Sequence, residues 1–559
     1  MMSIAFLRRY PRWLWLFAVS ALVLTTLPYL LGYASQGVEW RFSGFVFAVE
    51  DGNSYIAKML RGALGDWLFR TPYSALEQRG ALAYLPFLLL GKLSAPPGQH
   101  EQLVALYQLF RWAGGWLFFM ALYDFIALFI AEERWQRWGV ALASLGGGLG
   151  WLLILLGRGF WLGSLPLDIY SPETFGFLML LGLPHLLVAR ALLLWGLVVY
   201  LRPEQSPWKA GLLWLAMGLF QPLRVPLVWV IIGSHWLLLG ARGLWQKDRA
   251  LWWSWARRGI WAGVLSAPIV VYTFFAFSVD PVLRQWVAQN LILSPHPLHY
   301  LAAYGLLLPF ALAGMRRIWR KWTESGAVLI AWTLALPFLI YIPYNLQRRL
   351  AEGFWIAWVI LALIALETKA STARVEPVES SQTKRKNSAF SAHAAVSFFA
   401  NAKAGSQFIF GLTFITTLIL FLGSLQAVLH PAEPLFRPAN EVEALTALNA
   451  LVPADSVILS AFESGNIIPV YAPVYVVIGH GPESAGLAEL KPRVDALYVA
   501  AADDAERQSL LDEFAVDYIF WGPYERALGT WNPAEAEYLE MLYQSDAYAI
   551  FAVTQKNQR

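Results

Sequence analysis

Residues 49–68 read VEDGNSYIAKMLRGALGDWL, a polar stretch between two apolar parts of the chain. From Ile56 onward the apolar side chains recur at positions 56, 59, 60, 63, 64, 67 and 68, which is the spacing of one helix face. Lys58, Arg61 and Asp66 fall on the other face. The pattern predicts a short amphipathic helix with a basic polar face, of the kind that lies flat at a membrane surface.

Two carboxylates, Glu50 and Asp51, come directly before this predicted helix. The N-terminal end of a helix favours negative charge, and Asp is a common capping residue there. Asp51 therefore has two interpretations from its position alone. It caps the helix, or it is a functional carboxylate in a polar loop between membrane segments.

Composition fixes the class of protein. The chain has 559 residues, of which 58% are hydrophobic and 14% charged, and its apolar runs repeatedly reach about 20 residues. Runs of that length span the hydrocarbon core of a bilayer, so the sequence predicts a polytopic α-helical membrane protein. Cysteine is absent, which excludes disulfides and thiolate metal sites.

Charge is distributed unevenly along the chain. The net charge is +4, but residues 430–559 hold 19 acidic and 7 basic residues, a balance of −12 that leaves +16 for the rest. Most of this positive charge lies in short loops, where it reports membrane topology. We therefore expect no nucleic-acid partner.

The positive-inside rule orients the predicted spans. Arg8, Arg9 and Arg12 precede the first apolar run, which we interpret as a signal anchor with a cytoplasmic N-terminus. Alternating the remaining spans gives about eleven transmembrane helices. They are residues 13–33, 103–131, 139–156, 174–201, 210–220, 225–241, 259–279, 298–315, 326–343, 354–366 and 408–429.

This topology predicts four parts. Residues 1–366 form a multi-span membrane domain whose outer loop, residues 34–102, carries the polar stretch and a short apolar helix at 81–93. Residues 367–407 are rich in Ser, Thr, Lys and Ala and are predicted to be a disordered cytoplasmic linker. Residues 408–429 are the last span, and residues 430–559 form an extracytoplasmic domain.

The C-terminal 130 residues alternate helical patterns with short apolar strands, which predicts a soluble α/β domain. Strands are expected at 456–460, 474–478, 518–521 and 549–553. Two turns that follow strands, residues 479–481 (Gly-His-Gly) and 522–525 (Gly-Pro-Tyr-Glu), could line a cleft or be ordinary turns.

A wider motif surrounds the polar stretch. Asp51 is followed after three residues by Tyr55, then by Gly-Asp-Trp at 65–67, by Glu-Gln-Arg at 77–79 and by the apolar helix from Ala81. This order resembles the outer loop of the GT-C superfamily of membrane glycosyltransferases, and in particular the branch of protein O-mannosyltransferases and lipid A aminoarabinose transferases. The chain departs from the pattern at Gly52, where the family has Glu, and it lacks the Pro-Pro that follows the basic residue.

The resemblance assigns roles to individual residues. It implies that Asp51 is the catalytic base and that Asp168, in the second outer loop, is another functional acid. A carboxylate suits this task because an acceptor hydroxyl is a poor nucleophile, and Arg suits the leaving lipid phosphate because its planar fork binds phosphate oxygens. The proposed phosphate partners are Arg79, Arg348 and Arg349, and the supporting residues are Glu50, Tyr55 and Glu77. No metal ligand and no certain cofactor is implied, and a divalent metal is left open.

The resulting hypothesis is an inverting glycosyltransferase in the plasma membrane. It moves a sugar from a polyprenyl-phosphate donor in the bilayer to an extracytoplasmic acceptor such as a lipid, glycan or protein. Two alternatives remain: a secondary transporter or lipid-linked-sugar flippase, and a non-catalytic protein that binds glycan. The sequence shows no internal repeat of the kind common in transporters, and its polar cluster lies in a loop, which favours the enzyme.

Overall fold

A computed structural model describes residues 9–246, 249–367, 403–499 and 502–554 of the chain. The predicted linker, residues 367–407, lies outside the described residues except at its two ends.

The described residues contain seven helices that are long and apolar enough to cross a membrane. Two shorter apolar helices, Trp208–Phe220 and Glu324–Leu339, accompany them. The predicted multi-pass architecture is confirmed. The predicted number of about eleven spans is larger than the seven described helices that are long and apolar enough to cross a membrane. The seven are Arg12–Ser35, Pro184–Leu201, Arg224–Gly243, Ala250–Val279, Pro297–Arg320, Gln347–Leu366 and Gln407–Leu429.

Two of the predicted spans are not continuous helices. The first, residues 139–156, is interrupted by the glycines at 146–148, between helices Glu133–Leu145 and Gly150–Leu155. The second, residues 174–201, is interrupted at Leu183, because the residue before a proline is driven away from helical geometry. Periodicity alone did not reveal either break.

The helices up to residue 429 are numbered in chain order. They are α1 Arg12–Ser35, α2 Val49–Ala63, α3 Leu85–Gly91, α4 Gln99–Ile126, α5 Glu133–Leu145, α6 Gly150–Leu155, α7 Leu167–Tyr170, α8 Gly176–Gly182, α9 Pro184–Leu201, α10 Trp208–Phe220, α11 Arg224–Gln246, α12 Arg249–Val279, α13 Pro281–Gln289, α14 Pro297–Tyr304, α15 Leu308–Arg320, α16 Glu324–Leu339, α17 Phe354–Leu366 and α18 Lys403–Leu429.

The chain divides into two compact units that do not follow the chain order. One comprises Met1–Leu22, Gly114–Pro268 and Ile292–Gly423, and the other comprises Val23–Ala113, Ile269–Leu291 and Ser424–Arg559. The domain limits expected from the sequence stay a prediction. They cut the chain into consecutive segments, whereas each of these units combines segments that are distant in the chain but in contact in space.

The first unit is a helical bundle with charged residues in its interior. Glu352 bridges two arginines, with its carboxylate oxygens 2.6 Å from Arg190 and 2.7 Å from Arg224. Ionisable residues at membrane depth are costly unless they are paired, and this triad meets that condition. Helix contact is close elsewhere in the unit: a Cβ on Gly314 of α15 would lie 1.9 Å from the carbonyl oxygen of Leu361 in α17.

The second unit contains two sheets. In the smaller one, β1 (Trp40–Phe42) pairs antiparallel with β2 (Phe436–Pro438). The larger sheet has the order β4-β3-β5-β7-β6, with β3 parallel to β4 and β5, and β7 antiparallel to β5 and β6. The α/β fold predicted for residues 430–559 is confirmed. Its elements are α19 Ala439–Leu451, β3 Val457–Leu459, α20 Phe462–Tyr471, β4 Tyr475–Val476, α21 Leu487–Leu497, α22 Asp504–Glu513, β5 Tyr518–Trp521, α23 Pro523–Leu528, β6 Leu539–Gln544 and β7 Ala549–Val553.

One hydrophobic core joins the two distant parts of this unit. Phe45, Ile56 and Leu60 from the N-terminal loop region pack in the same cluster as Ile468 and Phe520 from the C-terminal sheet region. Helix α2 is therefore enclosed rather than lying on a surface.

The prediction of a surface-lying amphipathic helix at 56–68 is wrong. The helix runs from Val49 to Ala63, and the side chains of Lys58 and Arg61 are buried. Their partners, Glu483 and Asp455, lie about 400 residues further along the chain. The periodicity of one segment cannot reveal partners that come from a distant segment.

Candidate active site

Asp51 lies in the first turn of α2. The residue before the helix is Ala48, which has a left-handed φ of 49° and no side-chain capping bond. Asp51 is therefore not the N-cap, although its charge is still favoured near the helix N-terminus. Its side chain is 55% exposed and borders a cavity. This position makes the carboxylate accessible to a ligand.

The cavity beside Asp51 has a volume of about 770 Å³ and lies within the second unit. We call it the Asp51 cavity. Its walls come from the start of α2, from the segment before β2, from the start of α20 and from the two turns that the sequence singled out. Its polar and aromatic lining residues are Glu50, Asp51, Asn53, Glu433, Arg437, Phe462, Glu463, Asn466, His480 and Tyr524.

Carboxylates dominate the charge of this lining. Four of them, Glu50, Asp51, Glu433 and Glu463, border the cavity. The one lining guanidinium, Arg437, makes two hydrogen bonds of 2.7 Å to Glu441. Because its charge is already balanced by this neighbour, the cavity presents a negative potential to a ligand.

His480 is the neighbour of Asp51 on the cavity wall. Its Nε2 lies 3.5 Å from Asp51 Oδ1, and its Nδ1 lies 3.8 Å from Glu483 Oε1. Burial lowers the pKa of His480, but the charge of Glu483 and the contact with Asp51 raise it more, so the pKa is raised above its ordinary value. The two carboxylates therefore favour the protonated form of the imidazole that faces Asp51.

A buried ion pair lies behind this histidine. Lys58 Nζ is 2.6 Å from Glu483 Oε1, and the carboxylate also accepts hydrogen bonds from Ser54 at 2.6 Å and Thr71 at 2.8 Å. Burial raises the pKa of Glu483, but Lys58 and His480 lower it more, so the pKa is held below its ordinary value. Burial lowers the pKa of Lys58, against the opposing attraction of Glu483, and both groups are satisfied by hydrogen bonds, as buried polar groups require.

The turn that carries His480 is held at both ends. Ser484 Oγ accepts hydrogen bonds from the backbone N–H groups of Gly479 and His480. The Gly481 N–H donates to Glu50 Oε1 over 2.9 Å, and the Gln289 amide donates to two backbone carbonyls of the turn. Glu50 therefore attaches the turn to the start of α2.

The other expected residues of this unit lie apart from the cavity lining. Tyr55 stacks on Phe87 with ring centroids 4.6 Å apart, inside the core. Glu77 and Arg79 are exposed, and the Arg79 backbone N–H donates to Asp280 over 2.8 Å. The exposed guanidinium of Arg79 is available to an anion.

Asp168 belongs to the first unit and is buried. Its Oδ2 accepts hydrogen bonds from the backbone N–H groups of Gly148 and Gly150, at 2.9 and 3.1 Å, and from Thr416 at 2.7 Å. These contacts stabilise the glycine-rich break between α5 and α6. These hydrogen bonds give Asp168 a structural role, and its catalytic role stays a prediction.

Arg348 and Arg349 also belong to the first unit and lie in the short 3₁₀ helix Gln347–Ala351. The Arg348 guanidinium lies 4.4 Å from the ring centre of Tyr170. Arg349 Nε lies 3.3 Å from Glu173 Oε1. Both are half-buried, and their proposed role in binding phosphate stays a prediction.

Sequence reasoning missed Lys58, His480 and Glu483 as parts of the site. One signal was present for His480, since the Gly-His-Gly turn follows a strand. Lys58 lies two helical turns from Asp51 on the same face, which is a second signal. Nothing local marks Glu483.

Among the residues that the structure describes, no group of three or more His, Asp or Glu residues is placed to hold a metal ion.

Comparison with solved structures defines the fold. The structure of ArnT from Cupriavidus metallidurans in the apo state matches with a TM-score of 0.51 and 13% identity, over 97% of this chain and 97% of that chain. The Archaeoglobus fulgidus oligosaccharyltransferase, in a complex with Zn and sulfate, matches with a TM-score of 0.50 and 12% identity, over 96% of this chain and 73% of that chain. No protein-family model and no curated protein sequence matches the chain.

Both matched proteins are membrane glycosyltransferases of the GT-C superfamily. The chain therefore has the GT-C fold, in which a multi-span helical part is combined with a smaller C-terminal α/β region. The resemblance noted from the motif around Asp51 is confirmed at the level of the fold.

Proposed function

We propose that this protein is an integral membrane glycosyltransferase that moves a sugar from a polyprenyl-phosphate donor to an extracytoplasmic acceptor, with Asp51 as the general base. One observation carries the proposal: the exposed Asp51 carboxylate borders a cavity of about 770 Å³ and faces a buried histidine. Cavities of this size accommodate small ligands or part of a larger one. The GT-C fold supports the reaction class, and the motif resemblance supports the donor.

The reaction that Asp51 performs is proton removal. The carboxylate takes the proton of an acceptor hydroxyl, and the oxygen attacks the anomeric carbon of the donor sugar. The bond between that carbon and the lipid-phosphate oxygen breaks, and its electron pair leaves with the phosphate. Attack from the face opposite the leaving group inverts the anomeric configuration. General-base catalysis of this kind contributes roughly 10²- to 10⁴-fold to the rate.

The charge of the Asp51 cavity favours the acceptor as its occupant. Four carboxylates would repel a phosphate group that lay among them, so the donor phosphate is proposed to lie at the edge of the cavity, with the anomeric carbon of the donor sugar within reach of the acceptor oxygen. The exposed Arg79 is the proposed phosphate partner in this unit, and the phosphate-binding role of Arg348 and Arg349 stays the separate expectation that the resemblance implies. An acceptor without negative charge near its reacting hydroxyl fits the cavity best.

Localisation is part of the same proposal. The protein is placed in the plasma membrane with a cytoplasmic N-terminus and with the C-terminal α/β domain outside. The basic short loops of the membrane part support this orientation through the positive-inside rule.

The decisive experiment uses the full chain, purified and reconstituted, with a panel of radiolabelled polyprenyl-phosphate sugars and candidate acceptors. We expect transfer with one donor class and a 10²- to 10⁴-fold loss of turnover in Asp51→Asn, with donor binding retained. Asp66→Asn is the matched control, because Asp66 lies in the same loop and its partner Arg61 keeps a second carboxylate, Asp455.

Three results would contradict the proposal. Transfer at the wild-type rate by Asp51→Asn removes the base assignment. Binding of glycan without transfer by the wild-type protein favours the non-catalytic alternative. Movement of the lipid-linked sugar across the bilayer without transfer favours the flippase.

A further inference from the structure

We propose that His480, supplied by the C-terminal α/β region, is a positioning residue for Asp51: its imidazolium holds the carboxylate oriented toward the cavity and ionised. This inference rests on the proposed function of Asp51 as the base. It adds a residue from a distant part of the chain to the machinery of the reaction.

The geometry places the two side chains in contact at the cavity wall. His480 Nε2 lies 3.5 Å from Asp51 Oδ1, while the histidine side chain is 5% exposed and the aspartate side chain 55% exposed. The histidine is thus the fixed member of the pair and the carboxylate is the accessible one. That division of roles is the one expected of a positioning group and a base.

The histidine ring is fixed by its surroundings. Its backbone N–H donates to Ser484 Oγ over 3.1 Å, and its ring lies 5.4 Å from the ring of Tyr73. The neighbouring Gly481 N–H is bound by Glu50, which sits next to Asp51 in α2. The Gly481–Glu50 hydrogen bond therefore joins the turn to the helix directly beside the Asp51–His480 contact.

The charges around His480 favour its protonated form. Helix α2 presents Asp51 and Lys58 toward the ring, and the turn itself presents Glu483. Tyr73 packs against the ring from the segment that precedes α3. Two carboxylates outweigh one ammonium group, which is why the pKa of His480 is raised although burial acts to lower it.

A consequence for the pH dependence follows. Asp51 must be ionised to act as a base, so turnover falls on the acid side. When the pH rises through the raised pKa of His480, the cation beside Asp51 is lost, and turnover falls on the alkaline side as well. The wild-type profile is then bell-shaped.

The first test compares pH–rate profiles of the full-length wild type and His480→Gln. Glutamine keeps a hydrogen-bond donor but carries no charge at any pH. We expect the alkaline limb to disappear and the acid limb to move upward by about one pH unit, because an opposite charge within about 4 Å favours the ionised carboxylate by at least that amount. His100→Gln is the control, since His100 stacks on Tyr471 in the same unit and should keep the wild-type profile.

A purely structural histidine predicts a different result. His480→Gln would then lower turnover by the same factor at every pH and leave the shape of the profile unchanged. That outcome would overturn the inference while leaving the base assignment of Asp51 intact.

The second test needs no substrate. The eight histidines are isotopically labelled, the His480 signal is assigned as the one missing from His480→Gln, and its titration is followed by NMR in the wild type and in Asp51→Asn. We expect a lower pKa for His480 in Asp51→Asn, because a neighbouring negative charge has been removed. An unchanged titration would refute the pairing whatever the activity. Absence of transfer with every donor would refute the proposed function, and with it the catalytic part of this inference.

Discussion

At the scale of single residues, the buried Lys58–Glu483 pair links α2 to the C-terminal sheet region. Lys58 is fully buried, and its ammonium group also lies 4.4 Å from the ring centre of Tyr84. Removing one member of a buried pair leaves the other charge without compensation. The contact therefore constrains the fold as well as the position of His480.

We expect Lys58→Met to lower the free energy of unfolding by about 3 to 5 kcal/mol, measured by denaturation of the purified protein. The double variant Lys58→Met/Glu483→Gln should recover part of this loss, since no unpaired charge remains. Lys92→Met is the matched control, because Lys92 is a half-buried lysine that also packs on an aromatic ring, Trp67. Equal losses in the control and in Lys58→Met would contradict the argument.

Substitution of Arg79 tests donor binding separately from the chemical step. Its exposed guanidinium is the proposed phosphate partner, so Arg79→Ala should weaken donor binding. We expect KM for the donor to rise by tenfold or more with a smaller change in kcat, measured in the transfer assay. Arg41→Ala is the control, since the Arg41 guanidinium donates to the backbone carbonyls of Val38 and Trp40 at the start of β1. A loss confined to kcat would reassign Arg79.

At the scale of secondary-structure elements, α2 depends on a close approach to α3. A Cβ on Gly62 would lie 2.0 Å from the backbone carbonyl oxygen of Leu88, and backbone cannot move aside cheaply. We expect Gly62→Ala to cost about 1 to 3 kcal/mol of stability, read from the midpoint of thermal unfolding. Gly423→Ala, where nothing lies within 4 Å of the added Cβ, should be neutral or slightly stabilising. A neutral Gly62→Ala would show that the helices separate easily.

Helix α2 also shows which features of the site could be predicted from the sequence and which could not. Its motif singled out Asp51, whose role stays a prediction, and its apolar spacing indicated a helix that overlaps the observed one at residues 56–63, because both signals are local. The burial of Lys58 and the approach of His480 could not be predicted, since their partners are roughly 425 residues distant in the chain. Strand β5 and strand β7 were predicted with their observed limits because each is a compact apolar run, whereas β6, whose side chains are mostly exposed, gave no such signal.

At the scale of the whole molecule, the shared hydrophobic core bears on how the C-terminal region folds. Leu448, Ile468 and Phe520 pack in one cluster with Phe45 and Ile56, so residues 430–559 expressed alone would expose an apolar face. We expect that fragment to lack a cooperative thermal transition by circular dichroism, and the full chain to show one. A cooperative transition of the isolated fragment would mean that the sheet region is stable without α2.

Orientation in the membrane can be tested with single cysteines, because the chain has none of its own. A cysteine at Ser380, in the predicted cytoplasmic linker, should react with an impermeant reagent only after the membrane is opened. One at Asn449, exposed on α19, should react in intact cells whose outer layers have been removed. Labelling of both from the same side would contradict the predicted topology.

The pairing of β1 with β2 also limits how early the second unit can fold during synthesis of the chain. Phe42 and its partner Phe436 are synthesised roughly 20 to 80 s apart at usual translation rates of 5 to 20 residues per second. During that interval β1 has no partner strand, and Asp51 is synthesised long before the imidazole of His480 that faces it. The β1–β2 pair, and with it the contact between Asp51 and His480, can therefore form only when the last quarter of the chain has been synthesised.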